Sequence, residues 1–213
     1  MPKQLGSHPG APLQAVVFDA FGTLVQITDK RAPFHRLREL AGASITDNHA
    51  FAAAVMTSCH DLYSAAALHC PSIPRETLDI LQRELRQELE SMRLFPEVHD
   101  VFGELKNKGL KIGICSNLAA PYAEFTRLLL PHEVDAFSWS FEVGALKPSQ
   151  AIYDHVCKAL DCHSDSVLMV GDKEEEDFLG PLRAGMRAIR LRRNALQPYT
   201  PSIASLRPLL AQL

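Results

Sequence analysis

Asp19 closes the apolar run Ala15-Val16-Val17-Phe18 and leads into a turn at Gly22. A carboxylate placed there can attack phosphorus or carbon and form a covalent intermediate. Other polar groups follow similar runs. Ser116 and Asn117 come after Leu110 to Cys115, Asp172 comes after Val167 to Val170, and Lys147 lies a few residues beyond Ala136 to Val143. Ser116 offers a hydroxyl and, with Asn117, backbone donors for substrate oxygens. Lys147 can neutralise charge beside the nucleophile and stabilise negative charge in a transition state. Asp172 and Asp177, with Asp19, are hard oxygen donors suited to Mg²⁺, and a metal lets an anionic nucleophile approach an anionic phosphate. Each feature alone has an ordinary explanation. Asp19 can be a turn residue, Ser116-Asn117 a loop or helix cap, and Lys147 a solvated loop lysine. Glu174 to Glu176 read as the acidic first turn of a helix rather than as ligands. The placement of these groups in series is what singles them out.

That placement depends on the elements. Short apolar runs at residues 15–18, 110–115, 167–170 and 188–191 predict strands, residues 136–143 contain a further one, and the run at 15–18 fits a buried parallel strand. Between them, residues 98–105, 121–130, 149–160 and 176–185 carry helical spacing, with Gly109 ending the first. This alternation predicts an α/β fold: a Rossmann-like parallel sheet with helices on both faces. In such sheets ligands bind at the carboxyl ends of the strands, where the polar residues above stand. Residues 20–30 read as turn and irregular structure. Residues 26–92 read as a helical insert, ending in an amphipathic stripe of Leu78, Leu81, Leu85, Leu89 and Met92 with Pro74 in its first turn. The expected division is a core of residues 12–25 and 93–213 and a small α-helical cap domain over 26–92.

The motifs resemble those of the haloacid dehalogenase-like hydrolases. Asp19-Ala20-Phe21-Gly22-Thr23-Leu24 is similar to that family's first motif, Ser116-Asn117 to the second, Lys147-Pro148 to the third, and Gly171-Asp172 with Asp177 to the fourth. Order and spacing match over roughly residues 13–191. The resemblance implies a Rossmann-like core, a helical cap between the first motif and residue 93, and a flap over residues 20–28. It further implies covalent catalysis by Asp19 with Lys147 and Ser116, and substrate contacts at Thr23, Asn117 and Phe21. The implied Mg²⁺ site comprises Asp19, the Phe21 backbone carbonyl, Asp172 and Asp177.

The chain departs from the phosphatase pattern at Phe21, where those members carry an acid/base aspartate two residues after the nucleophile. Such a group contributes on the order of 10²–10⁴ in rate. The 2-haloacid dehalogenases have an aromatic residue there, because halide leaves without a proton, but they lack the acidic fourth motif and use no metal. Asp172 and Asp177 carry more weight than the single position 21. The reading is a Mg²⁺-dependent, phosphatase-type hydrolase of a small phosphorylated metabolite, suited to leaving groups of low pKa such as acyl phosphates. Two alternatives stand beside it: a metal-independent 2-haloacid dehalogenase, and a catalytically weak binding protein on the same scaffold. Arg31, Arg36 and Arg38 match no motif for a substrate carboxylate.

The remaining features exclude other classes. A net charge of −3 over 213 residues leaves no basic footprint for nucleic acid, and no apolar run approaches the roughly 20 residues of a membrane span. The partner is therefore a small molecule. Five scattered cysteines without a C-x-x-C fit reduced thiols and a cytoplasmic protein. The first dozen residues, rich in Pro and Gly, are expected to be disordered. No His pair has metal-ligand spacing; His35, His49, His60 and His69 read as surface residues. Trp139 and Phe141 read as packing along a strand, and Cys115 as core. A monomer or a homodimer is compatible with the apolar helix faces.

Overall fold

The computed structural model describes residues 11–42, 47–193 and 202–213. The expectation for the first ten residues lies outside them. The runs predicted as strands form one parallel sheet: β1 (Ala15–Phe18), β4 (Lys111–Ser116), β5 (Ala136–Trp139), β6 (Val167–Gly171) and β7 (Arg187–Leu191), with the short β8 (Ser202–Ile203) at one edge. The order is β5-β4-β1-β6-β7-β8, and every pairing is parallel. β1 is central. From it the chain builds one way through β4 and β5, then returns to build the other way from β6, so the topological switch falls beside β1.

Side chains alternate across this sheet. Val16, Phe18, Ile112, Ile114, Leu168 and Val170 belong to one buried cluster with Val98, Val101, Phe102 and Leu105 of α5 (Val98–Asn107). Phe18 and Phe102 stack at 5.3 Å between ring centroids, a geometry worth about 0.5–1.5 kcal/mol beyond area burial. Ala15, Val17, Val167 and Met169 belong to a second cluster with Ile152, Tyr153 and Val156 of α8 (Gln150–Ala159). Helices therefore cover both faces.

Between the first strand and α5 lie α1 (Pro33–Ala41), α2 (Asn48–Met56), α3 (Leu62–His69) and α4 (Arg75–Glu90). Local chemistry explains their starts. Pro33 opens α1. Asp47 accepts from the His49 and Ala50 amides at the start of α2, and Asp61 from the Ser64 amide at the start of α3. Pro74 stands at the cap of α4. Two expectations fail at the borders of this stretch. Residues 20–30 are not wholly irregular, because β2 (Val25–Ile27) pairs antiparallel with β3 (Met92–Leu94). Met92, expected at the end of the helical stripe, faces inward from that ribbon instead.

Two further corrections concern side chains. Phe141 lies in α7 (Ser140–Val143), a short helix after β5, rather than on a strand. His60 and His69 are half-buried, with rings edge to face, and His69 also packs on Phe51. The 176–185 helix is divided: Glu174–Leu179 forms a π-helical stretch and Gly180–Arg183 a short α-helix. Among the described residues no helix is long and apolar enough to cross a membrane.

Candidate active site

Parallel pairing brings the ends of β1, β4 and β6 together. Asp19 directly follows β1, Ser116 ends β4, and Asp172 follows β6. Lys147 reaches in from the loop after α7. Its side chain is buried, and its Nζ donates to Asp19 Oδ1 at 2.8 Å and to Asp177 Oδ1 at 2.6 Å. Ser116 Oγ donates to the same Asp19 Oδ1 at 3.0 Å. Asp19 is 6% exposed. With Oδ1 held by two donors, Oδ2 is the oxygen left for chemistry.

Backbone features make this convergence possible. Gly22 has φ +82°, a left-handed conformation that favours glycine, and a Cβ there would stand 2.9 Å from Asp172 Oδ2. A Cβ on Gly171 would collide with the Asp177 carboxylate. Asp177 is fully buried in the π-helical stretch, and its Oδ2 accepts the Lys173 amide at 2.9 Å. Such stretches recur at functional sites.

The electrostatics follow from burial and crowding. Burial raises the Asp19 carboxyl, Lys147 pulls it down, and the Asp177 and Asp172 charges raise it again, giving about 7 from the protein's own groups. Burial opposes the charge on Lys147, but Asp19 and Asp177 outweigh it and hold the ammonium well above its ordinary value. Lys147 Nζ lies between Asp19 and Asp177, and Lys173 Nζ stands 3.8 Å from Asp172 Oδ2, so three carboxylates face two ammoniums and carry one excess negative charge when all are ionised. Oxygens of Asp19, Asp172 and Asp177 lie within 4.8 Å of one another, and buried Asp172 Oδ1 has no hydrogen-bond partner among the described residues. Hard oxygen donors, an orphaned acceptor and an excess of negative charge fit a small divalent cation such as Mg²⁺.

The other predicted site residues are placed as follows. Asn117 brackets Lys147: its Nδ2 donates to the Lys147 carbonyl at 3.0 Å, and its Oδ1 accepts the Lys147 amide at 2.7 Å. Thr23 is fully buried, and its hydroxyl has no hydrogen-bond partner among the described residues. Phe21 turns its ring edge-on to Tyr122, with centroids 5.8 Å apart. It lines a cavity of about 440 Å³, together with Asn117 and residues of α1, α2 and α6 (Ala120–Leu129). Asp19 is not in the cavity lining, but Phe21, two residues beyond it, and Asn117, next to Ser116, are. Glu174 and Glu175 pair with Arg190 and Arg183. Cys115 is buried, and its thiol is pushed up to about 12 by burial, consistent with core packing.

Three residues escaped the sequence reading. Glu88 of α4 is 2% exposed. Its Oε2 accepts the Arg31 and Ala32 amides, and its Oε1 accepts the Tyr122 hydroxyl at 2.7 Å. Burial and this carboxylate hold the Tyr122 hydroxyl protonated, well above its ordinary range. Arg193 donates to the Gly22 and Thr23 carbonyls and to Glu97, and lies 3.5 Å over the Phe95 ring. It thereby clamps the turn that follows Asp19. The signal for Glu88 was its spacing, since residues 81, 85, 88 and 89 share the buried face of α4. Nothing local marked Tyr122 or Arg193.

A family model described as haloacid dehalogenase-like hydrolase matches residues 13–185. The chain is 35% identical over 100 residues to glyceraldehyde 3-phosphate phosphatase of Methanothermobacter thermautotrophicus, covering 46% of this chain and 44% of that one. The chain spans about half the length of the curated relatives it matches. Among solved structures, a HAD phosphatase from Thermococcus onnurineus matches with a TM-score of 0.61 at 22% identity, covering 92% of this chain and 96% of that one. A 2-haloacid dehalogenase from Pseudomonas syringae matches with a TM-score of 0.67 at 20% identity, covering 94% and 97%. Likeness at these identities establishes the shared fold.

Proposed function

The chain belongs to the haloacid dehalogenase-like hydrolases, and on that premise we propose that it removes a phosphoryl group from a small metabolite, with Mg²⁺ bound and Asp19 as the nucleophile. The observation that carries this reading is the cluster of half-buried Asp172 with buried Asp19, Asp177 and Lys147 near the ends of β1 and β6. The phosphatase names of the curated relatives support it. In this reading residues 26–92 act as a cap over a core of 12–25 and 93–213.

Each residue then has a defined task. Asp19 Oδ2 forms a bond to phosphorus as the bond to the leaving oxygen breaks, giving an acyl phosphate on Asp19. Addition of water to that acyl phosphate returns the Asp19 carboxylate and dihydrogen phosphate. Lys147 and Ser116 fix Oδ1 and so aim Oδ2. Lys147 also stabilises charge gathering on the phosphoryl oxygens. Asp19, Asp172, Asp177 and the Phe21 carbonyl would hold the metal, which when bound offsets the charge between nucleophile and phosphate. Asn117 sets the position of Lys147, and Thr23 supports the turn. With phenylalanine at position 21, the leaving oxygen receives no proton from that site, so leaving groups of low pKa are favoured.

Phe21 also favours a second reading, carbon–halogen cleavage without metal. One screen separates them: phosphate release from acetyl and aryl phosphates with Mg²⁺, beside halide release from 2-chloropropionate. Phosphate release that Asp19→Asn abolishes is the expected result. Halide release without phosphate refutes the phosphatase reading, and neither product favours a binding protein on the same scaffold.

A further inference from the structure

The cavity beside Phe21 has a composition of its own. At about 440 Å³ it lies toward the small end of the roughly 300–1,000 Å³ usual for small-molecule pockets. Its wall is mostly apolar: Phe21, Phe34, Phe51, Val55, Met56 and Leu118. Phe34 and Tyr122 lie 6.5 Å apart, and with Phe21 they present aromatic surface. Two of the polar groups in the wall, Glu88 and Asn117, are already engaged. Glu88 accepts three donors, and Asn117 is bonded on both sides to the Lys147 backbone. Little is left to receive the hydroxyls of a sugar.

The charges left over are positive. Arg38 of α1 lines the cavity with a side chain 19% exposed. Its hydrogen-bond contact among the described residues is with the His35 ring, and the Glu39 carboxylate stands 4.0 Å off. Its Nε is buried with no acceptor among the described residues. A guanidinium carries five N–H donors in a planar fork that matches a carboxylate or phosphate, and most of these are unanswered among the described residues. Lys30 lines the same cavity and is exposed.

Resting on the phosphatase reading of the neighbouring site, we propose that the substrate has an apolar body carrying at least one aromatic ring, and a second anionic group that Arg38 binds. The reacting phosphate sits at Asp19, the body fills the cavity against Phe21, and the far anion meets the guanidinium. Phe21 then has a positive role: where a carboxylate would repel such a body, the phenyl ring packs on it.

Equilibrium binding tests this with the full-length chain carrying Asp19→Asn, which prevents turnover, in Mg²⁺. The ligands are 4-carboxyphenyl phosphate, phenyl phosphate and glyceraldehyde 3-phosphate. The expected result is that the carboxylated ester binds about tenfold more tightly than phenyl phosphate, a difference of about 1.4 kcal/mol, with glyceraldehyde 3-phosphate weakest. Adding Arg38→Gln should bring the ratio of the two aryl esters toward one, and Arg38→Lys should keep part of it, which also guards against a folding defect. A ratio near one in the parent, a ratio untouched by Arg38→Gln, or glyceraldehyde 3-phosphate as the tightest ligand overturns the proposal. Phosphate release by the unaltered chain from the same esters tests the phosphatase reading separately. Preference without release sinks that reading alone, and release without preference sinks this inference alone.

Discussion

Removing the Tyr122 hydroxyl tests whether Glu88 ties α4 to α6 as the geometry indicates. Glu88 receives two backbone amides, those of Arg31 and Ala32, and one phenol. Ala32 sits at φ 51°, a left-handed conformation unusual for alanine and costing roughly 1–2 kcal/mol, which the carboxylate helps to offset. A hydrogen bond to a charged group is worth about 1.5–3 kcal/mol net. Tyr122→Phe keeps the ring against Phe21 and Phe34 and removes only that bond, so its cost should be about 2 kcal/mol. For a chain of this length that lowers the melting midpoint by about 4–8 °C. Glu88→Gln keeps one acceptor for the two amides and should cost about 1–2 kcal/mol. Glu88→Ala strands three donors and should cost about 3–6 kcal/mol, a large share of an ordinary domain's stability. Urea unfolding of both single variants and the double variant gives a coupling free energy, expected at about 1–2 kcal/mol for Gln with Phe. A neutral Tyr122→Phe, or strictly additive single variants, would refute the tie and leave the contact as mere proximity.

Three further outcomes are expected. If the acidic cluster binds Mg²⁺, adding it at about a hundred times its Kd should stabilise the fold by about 2.7 kcal/mol, a rise of about 5–11 °C. Chelation should reverse that rise and Asp172→Asn should remove most of it; scanning calorimetry reads all of these. Burial raises the Glu97 carboxyl, but hydrogen bonds and charge from Arg193, with backbone amides, outweigh it and hold it below its ordinary value. That stability is present above the unfolded carboxyl's pKa and is lost as pH falls through the folded one. Arg193→Met should therefore cost about 3 kcal/mol and move acid unfolding, followed by circular dichroism, to higher pH; an unchanged acid midpoint would count against the pair. Finally, brief alkylation of the native protein should label exposed Cys59 and spare buried Cys115, whose thiol stands at about 12. Mass spectrometry showing Cys115 modified first would contradict its burial.

Much of this architecture was legible because buried parallel strands read as unbroken apolar runs, and polar residues stood out at their ends. Asp19, Ser116, Lys147 and Asp172 could be picked out this way, whereas Asp177, six residues beyond β6, was marked by the resemblance to the fourth motif. The β2–β3 ribbon was not legible. Its strands are three residues long, and Met92 continues the spacing of the preceding helix. Glu88 hid among the charges of α4, although its position on the apolar stripe could have marked it. The clamp of Arg193 on Gly22 and Thr23 joins residues about 170 positions apart, and no local pattern encodes such a contact.

The sheet order has a consequence for synthesis. β1 is the first strand made, yet it lies at the centre, with β4 on one side and β6 on the other. At about 5–20 residues per second, the roughly 150 residues separating Phe18 from the end of β6 take about 8–30 s to emerge. Through that interval Val16-Val17-Phe18 lacks its second neighbour. The segment that presents Asp19 is also one whose nascent form needs protection from aggregation.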